Sequence, residues 1–116
     1  MIDVFVPMIT VSEANVSDHW TKKSKRHKLQ QWKIFCALYN AKVKMDLPIN
    51  ILMIRRGKRK MDFDNLVSSL KHSRDEIANY FIPGLAKGRA DDSSELNWHY
   101  GQLTTKNEVG VWIILW

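Results

Sequence analysis

The stretch Ile49-Asn50-Ile51-Leu52-Met53-Ile54, opened by Pro48, constrains this chain most. Side chains alternate along a strand, so Ile49, Ile51 and Met53 share one face while Leu52 and Ile54 share the other. A strand apolar on both faces must be flanked and covered, which makes it a central strand of a sheet. Ile2, Val4 and Val6 alternate with Asp3 and Phe5 and stop at Pro7, the pattern of another strand. ELNWHY near 95–100 and EVGVWIILW near 108–116 supply two more.

Two segments carry helical spacing instead. From about Ser24 to Lys42, Leu29, Trp32, Phe35 or Cys36, and Tyr39 recur every three or four residues, predicting a helix that buries this stripe. From Asn65 to Phe81, Leu66, Leu70, Ile77 and Tyr80 or Phe81 mark a second buried stripe, with Ser73 filling one gap; Asp64 stands where a cap belongs, and Pro83 and Gly84 end the helix. TVSEANVSDHWTKK and LAKGRADDSSE read as loops. The expectation is one α+β domain over residues 1–116, with a mixed sheet of about four strands and two main helices.

A chain of 116 residues fits one domain, and 45% hydrophobic content with five tryptophans suffices for a core. The formal net charge of +6 favours a polyanionic partner, for which nucleic acid is the commonest candidate. Cys36 is the single cysteine, which excludes an internal disulfide or a cysteine-based zinc site and predicts a buried, inert thiol. The N-terminus has an acid before its apolar run and does not read as a signal peptide. No apolar stretch approaches the roughly 18 residues of a membrane span. A soluble, cytoplasmic protein with no membrane partner is the expectation.

Charge is most concentrated in RRGKRKMDFDNL. Arg55, Arg56, Lys58, Arg59 and Lys60 suit a polyanion, as do Lys22, Lys23, Lys25, Arg26 and Lys28 around the first helix's start. Asp62 and Asp64 would repel one. If residues 61–64 continue the strand, the two aspartates share a face about 7 Å apart, and a cation between them relieves their repulsion. Hard carboxylate oxygens suit Mg²⁺, with Mn²⁺ as a substitute; such an ion polarises a phosphoryl oxygen and lowers the pKa of a bound water. Asp91 and Asp92 are the nearest candidates for a third ligand. The plainer alternative is a helix cap and a solvated Asp-Asp-Ser-Ser turn.

The order of these features resembles the RusA family of Holliday-junction resolvases, small endonucleases of bacteria and their phages. ANVSDHWTKKSKRHK is similar to the family's early asparagine-plus-aromatic basic segment. INILMIRRGKRK is similar to its apolar strand and basic residues, MDFDNLVSSLK to its aspartate-x-aspartate-asparagine motif opening a helix, and KGRADDSSE to its later aspartate pair. The resemblance implies a RusA-like fold and a Mg²⁺-dependent endonuclease resolving four-way DNA junctions in recombination and repair. It implies that Asp62, Asp64 and Asp92 hold the metal, with Asp91 as an alternative to Asp92. It also implies a homodimer, matching the two-fold symmetry of a junction. Family members carry a lysine one turn after the motif, where this chain has Ser68; Lys71, on nearly the same helix face, is the substitute catalytic candidate, or else a solvent lysine pairing with Asp75. Gly88-Arg89-Ala90 before Asp91 also departs from the usual approach to the pair.

Trp20, beside His19 and lysines, either stacks on unpaired bases or packs in the core. His19, His27, His72 and His99 lack metal-ligand spacing. Trp112, Ile114 and Trp116 share one face, either a core strand or an interface edge. Two rival functions remain: a non-catalytic branched-DNA or nucleic-acid-binding module with a degenerate site, and a basic protein whose partner is protein or RNA, its carboxylates structural.

Overall fold

In a computed structural model that describes residues 1–12, 19–85 and 89–116, β1 (Ile2–Pro7), β2 (Ile49–Gly57), β3 (Leu96–Thr104) and β4 (Gly110–Leu115) form one mixed sheet in the order β1-β4-β2-β3. α1 (Trp20–Asn40), α2 (Phe63–Ser69), α3 (Lys71–Phe81) and a 3-10 turn at Ala90–Asp92 complete an α+β domain. β2 is internal, as its two apolar faces require. It pairs with β4 antiparallel and with β3 parallel, from Ile49 opposite Leu96 to Gly57 opposite Thr104. The parallel pairing needs a crossover, and the segment carrying α2 and α3 provides it.

One sheet face meets the helices. Ile49, Ile51 and Met53 of β2 are fully buried there, with Val111, Ile113 and Leu115 of β4 beside them. The opposite face carries Leu52 against Ile114 and Ile54 against Trp112, with Phe5 on the far side of Trp112. Trp112 and Ile114 are only half-buried and Trp116 is exposed. A core role for the last strand therefore holds for its odd-numbered residues and not for Trp112 or Trp116. Trp112 instead donates its indole N–H to Asp3 Oδ2 at 2.9 Å.

The first helix turns its expected stripe to solvent. Trp32 and Tyr39 are 63% and 66% exposed, Leu29 and Phe35 are exposed as well, and Cys36 is half-buried rather than buried. Ile34 and Leu38 are the fully buried residues, with Gln30 one turn before them. Two i,i+4 stripes run along this helix, and the aromatic one looks more core-like than Gln30-Ile34-Leu38. Gln30 can be buried because its side-chain amide donates to the Ile9 carbonyl at 3.1 Å. The helix also starts earlier than its apolar spacing predicts, with His19 as N-cap.

The second predicted helix is two. Leu70 leaves helical geometry at φ −104°, ψ 2°, separating α2 from α3. Ser69 sends its hydroxyl to the Leu66 carbonyl at 2.7 Å, a backbone bond that competes with the helical ladder and favours a bend. The buried positions are otherwise close to expectation: Leu66, Leu70 and Ile77 are in the core, and Ser73 is 1% exposed.

α1 and α3 run parallel. The His27 ring stacks on His72 with centroids 3.5 Å apart, and further along Tyr80 donates its hydroxyl to the Val43 carbonyl just beyond the end of α1. No helix among the described residues is long and apolar enough to cross a membrane.

Candidate nucleic-acid interface and carboxylate site

β2 ends at Gly57, so Asp62 and Asp64 do not continue it, and the shared strand face expected for them is corrected. Asp62 is instead the N-cap of α2, with an extended backbone at φ −59°, ψ 157°. Its carbonyl accepts the Leu66 N–H at 2.8 Å, while its carboxylate makes no capping bond. Asp64, expected at the cap, lies in the first turn. Both side chains are exposed. Just before them, Met61 is clipped to β3: its N–H donates to Gln102 Oε1 at 2.9 Å and its carbonyl accepts from Gln102 Nε2 at 2.7 Å. Just after them, Asn65 Oδ1 accepts the Ser12 hydroxyl at 2.7 Å, tying the helix start to the loop beyond β1. The aspartates thus stand on an anchored turn.

The basic run divides. Lys58, Arg59 and Lys60 are exposed on the loop after β2. Arg55 is not available to grip DNA, and that expectation is corrected: strand alternation puts it on the inward face behind Met53, where it is 8% exposed. Its guanidinium donates to Thr10 Oγ1 at 2.9 Å and to the Arg59 carbonyl at 2.8 Å, so it braces the basic loop from beneath. Burial lowers its pKa from the usual arginine value. Arg56 points to the other sheet face and sits over the Phe5 ring, 5.2 Å from its centroid. On α1, Lys22, Lys25 and Lys28 are exposed and Lys23 and Arg26 are partly so. Trp20 is 73% exposed, so the core-packed alternative for it does not hold. Residues 13–18 and 86–88, including Gly88 of the later motif, lie outside the described residues.

Asp91 and Asp92 sit in the 3-10 turn before β3, and they differ. Asp92 is exposed. Asp91 is held by Arg74, whose Nε lies 3.3 Å from Asp91 Oδ2 and whose Nη2 donates to the Asp91 carbonyl at 3.3 Å. That carbonyl also accepts the Trp98 indole N–H at 2.9 Å. Arg74 Nη1 donates to the Tyr100 hydroxyl at 2.6 Å, and Phe63 stands edge-on to the Tyr100 ring with centroids 6.2 Å apart. One chain of interactions, Phe63 to Tyr100 to Arg74 to Asp91, therefore joins the start of α2 to the later aspartate pair. Lys71, exposed as the first residue of α3, and Asp91 both line the groove between α1 and α3.

The donors suit magnesium in kind. Asp62, Asp64 and Asp92 offer exposed carboxylates, and Asp91 Oδ1 is buried with no hydrogen-bond partner. Among the described residues, no three His, Cys, Asp or Glu side chains group closely enough to form a complete metal cage. Magnesium commonly binds through one or two carboxylates, several waters and substrate phosphates, so the donors fit that mode rather than an all-protein cage.

Arg74, Tyr100 and Gln102 hold these parts together, and they are not apparent as site residues from spacing. The visible signal for Gln102 and Tyr100 is their place on β3, where alternation puts them opposite inward-facing Arg55 and Met53. Arg74 gives no such signal, since an arginine on a polar helix face ordinarily reads as solvated. No family model matches the sequence, and no curated protein or solved structure matches it significantly.

Proposed function

We propose that this chain is a metal-dependent endonuclease acting on four-way DNA junctions, with a RusA-like architecture and working as a homodimer in recombination and repair. The observation that carries the reading is the sequence of exposed Lys58, Arg59 and Lys60 followed at once by exposed Asp62 and Asp64 on an anchored turn. The lysines and arginine hold the phosphate backbone. One or two of Asp62, Asp64, Asp92 and Asp91 would hold Mg²⁺ or Mn²⁺ together with waters and the substrate phosphate, and the ion would polarise a phosphoryl oxygen and activate a water. Lys71 faces the developing charge on the leaving oxygen from the start of α3. Arg74 keeps Asp91 oriented. Two copies match the two-fold axis of the junction, and the exposed Leu29-Trp32-Phe35-Tyr39 stripe is the apolar surface offered for their association.

A second reading is junction binding without cleavage. Two observations favour it: Ser68 stands where the resembling family has lysine, and Asp91 already has a cation in Arg74. A labelled synthetic four-way junction, incubated with Mg²⁺ or with EDTA beside Asp64→Asn, separates the two. Paired nicks seen only with metal and the natural protein support the nuclease. Tight junction binding with no cleavage in either condition leaves the binding module. Equal affinity for linear duplex and junction removes both.

A further inference from the structure

Between the N-terminal ends of α1 and α3 lies an open groove of about 510 Å³. Its walls combine one large aromatic surface, Trp20, with Lys23 and Lys28 from α1, Lys71 and Asp75 from α3, and Asp91 from the 3-10 turn. The His27–His72 stack marks where the two helices close on each other; from there α1 runs back seven residues to Trp20, roughly 10 Å of helix beyond the start of α3. That overhang makes the groove a step rather than a flat surface, with Trp20 at its outer lip.

We propose that this groove seats one unpaired nucleotide of the DNA, its base stacked on Trp20 and its phosphate held by Lys23, Lys28 and Lys71. The inference rests on the DNA-directed reading above and adds a subsite to it. Its physical grounds are the exposed indole and the lysines, beside the Asp91 end of the carboxylate site. An indole left 73% exposed at a helix start wastes a large apolar surface unless something covers it. Three lysines against the carboxylates of Asp75 and Asp91, the latter already paired with Arg74, leave the lining net positive and favour an anion. The volume lies within the range of small-ligand sites and accommodates a mononucleotide. A base inside a duplex keeps its faces stacked, so the occupant must be unpaired, as a base at a branch point or a gap is.

The test uses junction and gapped DNA carrying 2-aminopurine at single unpaired positions, beside an intact duplex of equal length. Natural protein, Trp20→Phe, Trp20→Ala and Lys71→Ala are compared, with circular dichroism checking that each is folded. The expected result is quenching of 2-aminopurine at one unpaired position by the natural protein and by Trp20→Phe. Trp20→Ala restores the fluorescence and weakens binding of the unpaired substrates roughly 5- to 150-fold, the range of a lost base–aromatic stack; duplex binding stays unchanged. Lys71→Ala weakens binding and leaves the quenching of bound probe in place. Unaltered affinity and probe signal in folded Trp20→Ala, with junction binding intact, overturns the subsite alone. Absence of DNA binding by the natural protein overturns the subsite and the DNA-directed reading together.

Discussion

The Arg74 guanidinium lies 3.3 Å from the Asp91 carboxylate and also reaches the Tyr100 hydroxyl, so one side chain spans α3, the 3-10 turn and β3. It lies over the Trp98 ring as well, 4.8 Å from its centroid. Both ion-pair partners are mostly but not wholly buried, at 23% and 17% side-chain exposure.

Arg74→Ala should therefore destabilise the fold by about 1–3 kcal/mol, less than a fully buried pair because solvent screens part of the interaction. Arg74→Lys should recover only part, since one ammonium cannot reach Asp91 and Tyr100 in the same fork geometry. Urea unfolding midpoints check both variants, and a double-mutant cycle with Asp91→Asn isolates the pair itself.

The two stripes of α1 should separate cleanly under substitution. Leu38→Ala removes a fully buried side chain and should lose about 2–5 kcal/mol. Trp32→Ser changes a 63% exposed residue and should stay within about 0.5 kcal/mol in stability. If the natural protein sediments as the proposed dimer, Trp32→Ser should sediment as a monomer; an unchanged dimer would move the interface away from this stripe, and a monomeric natural protein would remove the dimer.

Salt titrations of DNA binding should divide the basic run. Neutralising Lys58, Arg59 and Lys60 should flatten the dependence of log affinity on log salt by about 0.9 for each phosphate no longer gripped. Arg55→Met should leave that slope unchanged and show instead as a loosened loop, because Arg55 holds Thr10 and the Arg59 carbonyl. Burial lowers the Arg55 pKa, so its charged form is disfavoured in the folded state; that unfavourable term is constant below the folded pKa and is relieved only as pH rises through it into the alkaline range. Natural protein and Arg55→Met should therefore show parallel stability profiles across neutral pH.

Gly110 is a packing constraint. A Cβ there would collide with the Val6 carbonyl oxygen and would lie 2.8 Å from Phe5 Cζ. Gly110→Ala must spread β1 from β4 and should cost about 1–3 kcal/mol, visible as a fall of several degrees in Tm. Gly101→Ala meets only ordinary van der Waals neighbours in Ile54 and Leu52 and serves as the control.

Where one local pattern dominates, the sequence is a sufficient guide: the two apolar faces of Ile49–Ile54 announce the internal strand, and Ile2-Val4-Val6 its distant neighbour. Where two patterns compete, it is not. α1 carries two helical stripes, and the choice between them rests on Ile9 offering its carbonyl to Gln30, a tertiary interaction invisible in local spacing. Arg55 is obscured by its own neighbours, because a run of cations reads as one surface although β2 alternates beneath it. Asp62 and Asp64 are placeable near a helix start. Their conformation is not, since it depends on Gln102 clasping Met61 across 41 positions of sequence.

The strand order also dictates when this fold can come into being. Ile2 pairs with Leu115, and β4 lies between β1 and β2, so the first strand synthesised has no sheet to join until nearly all that follows has emerged. One of the two central strands, β4, is the last to arrive. Pairings of such sequence separation slow folding, because long loops close before they are rewarded. On a ribosome, β2 can pair with β3 once Thr104 has emerged, whereas β1 waits unpaired, exposed to chaperones and to other nascent chains, until β4 slides between it and β2.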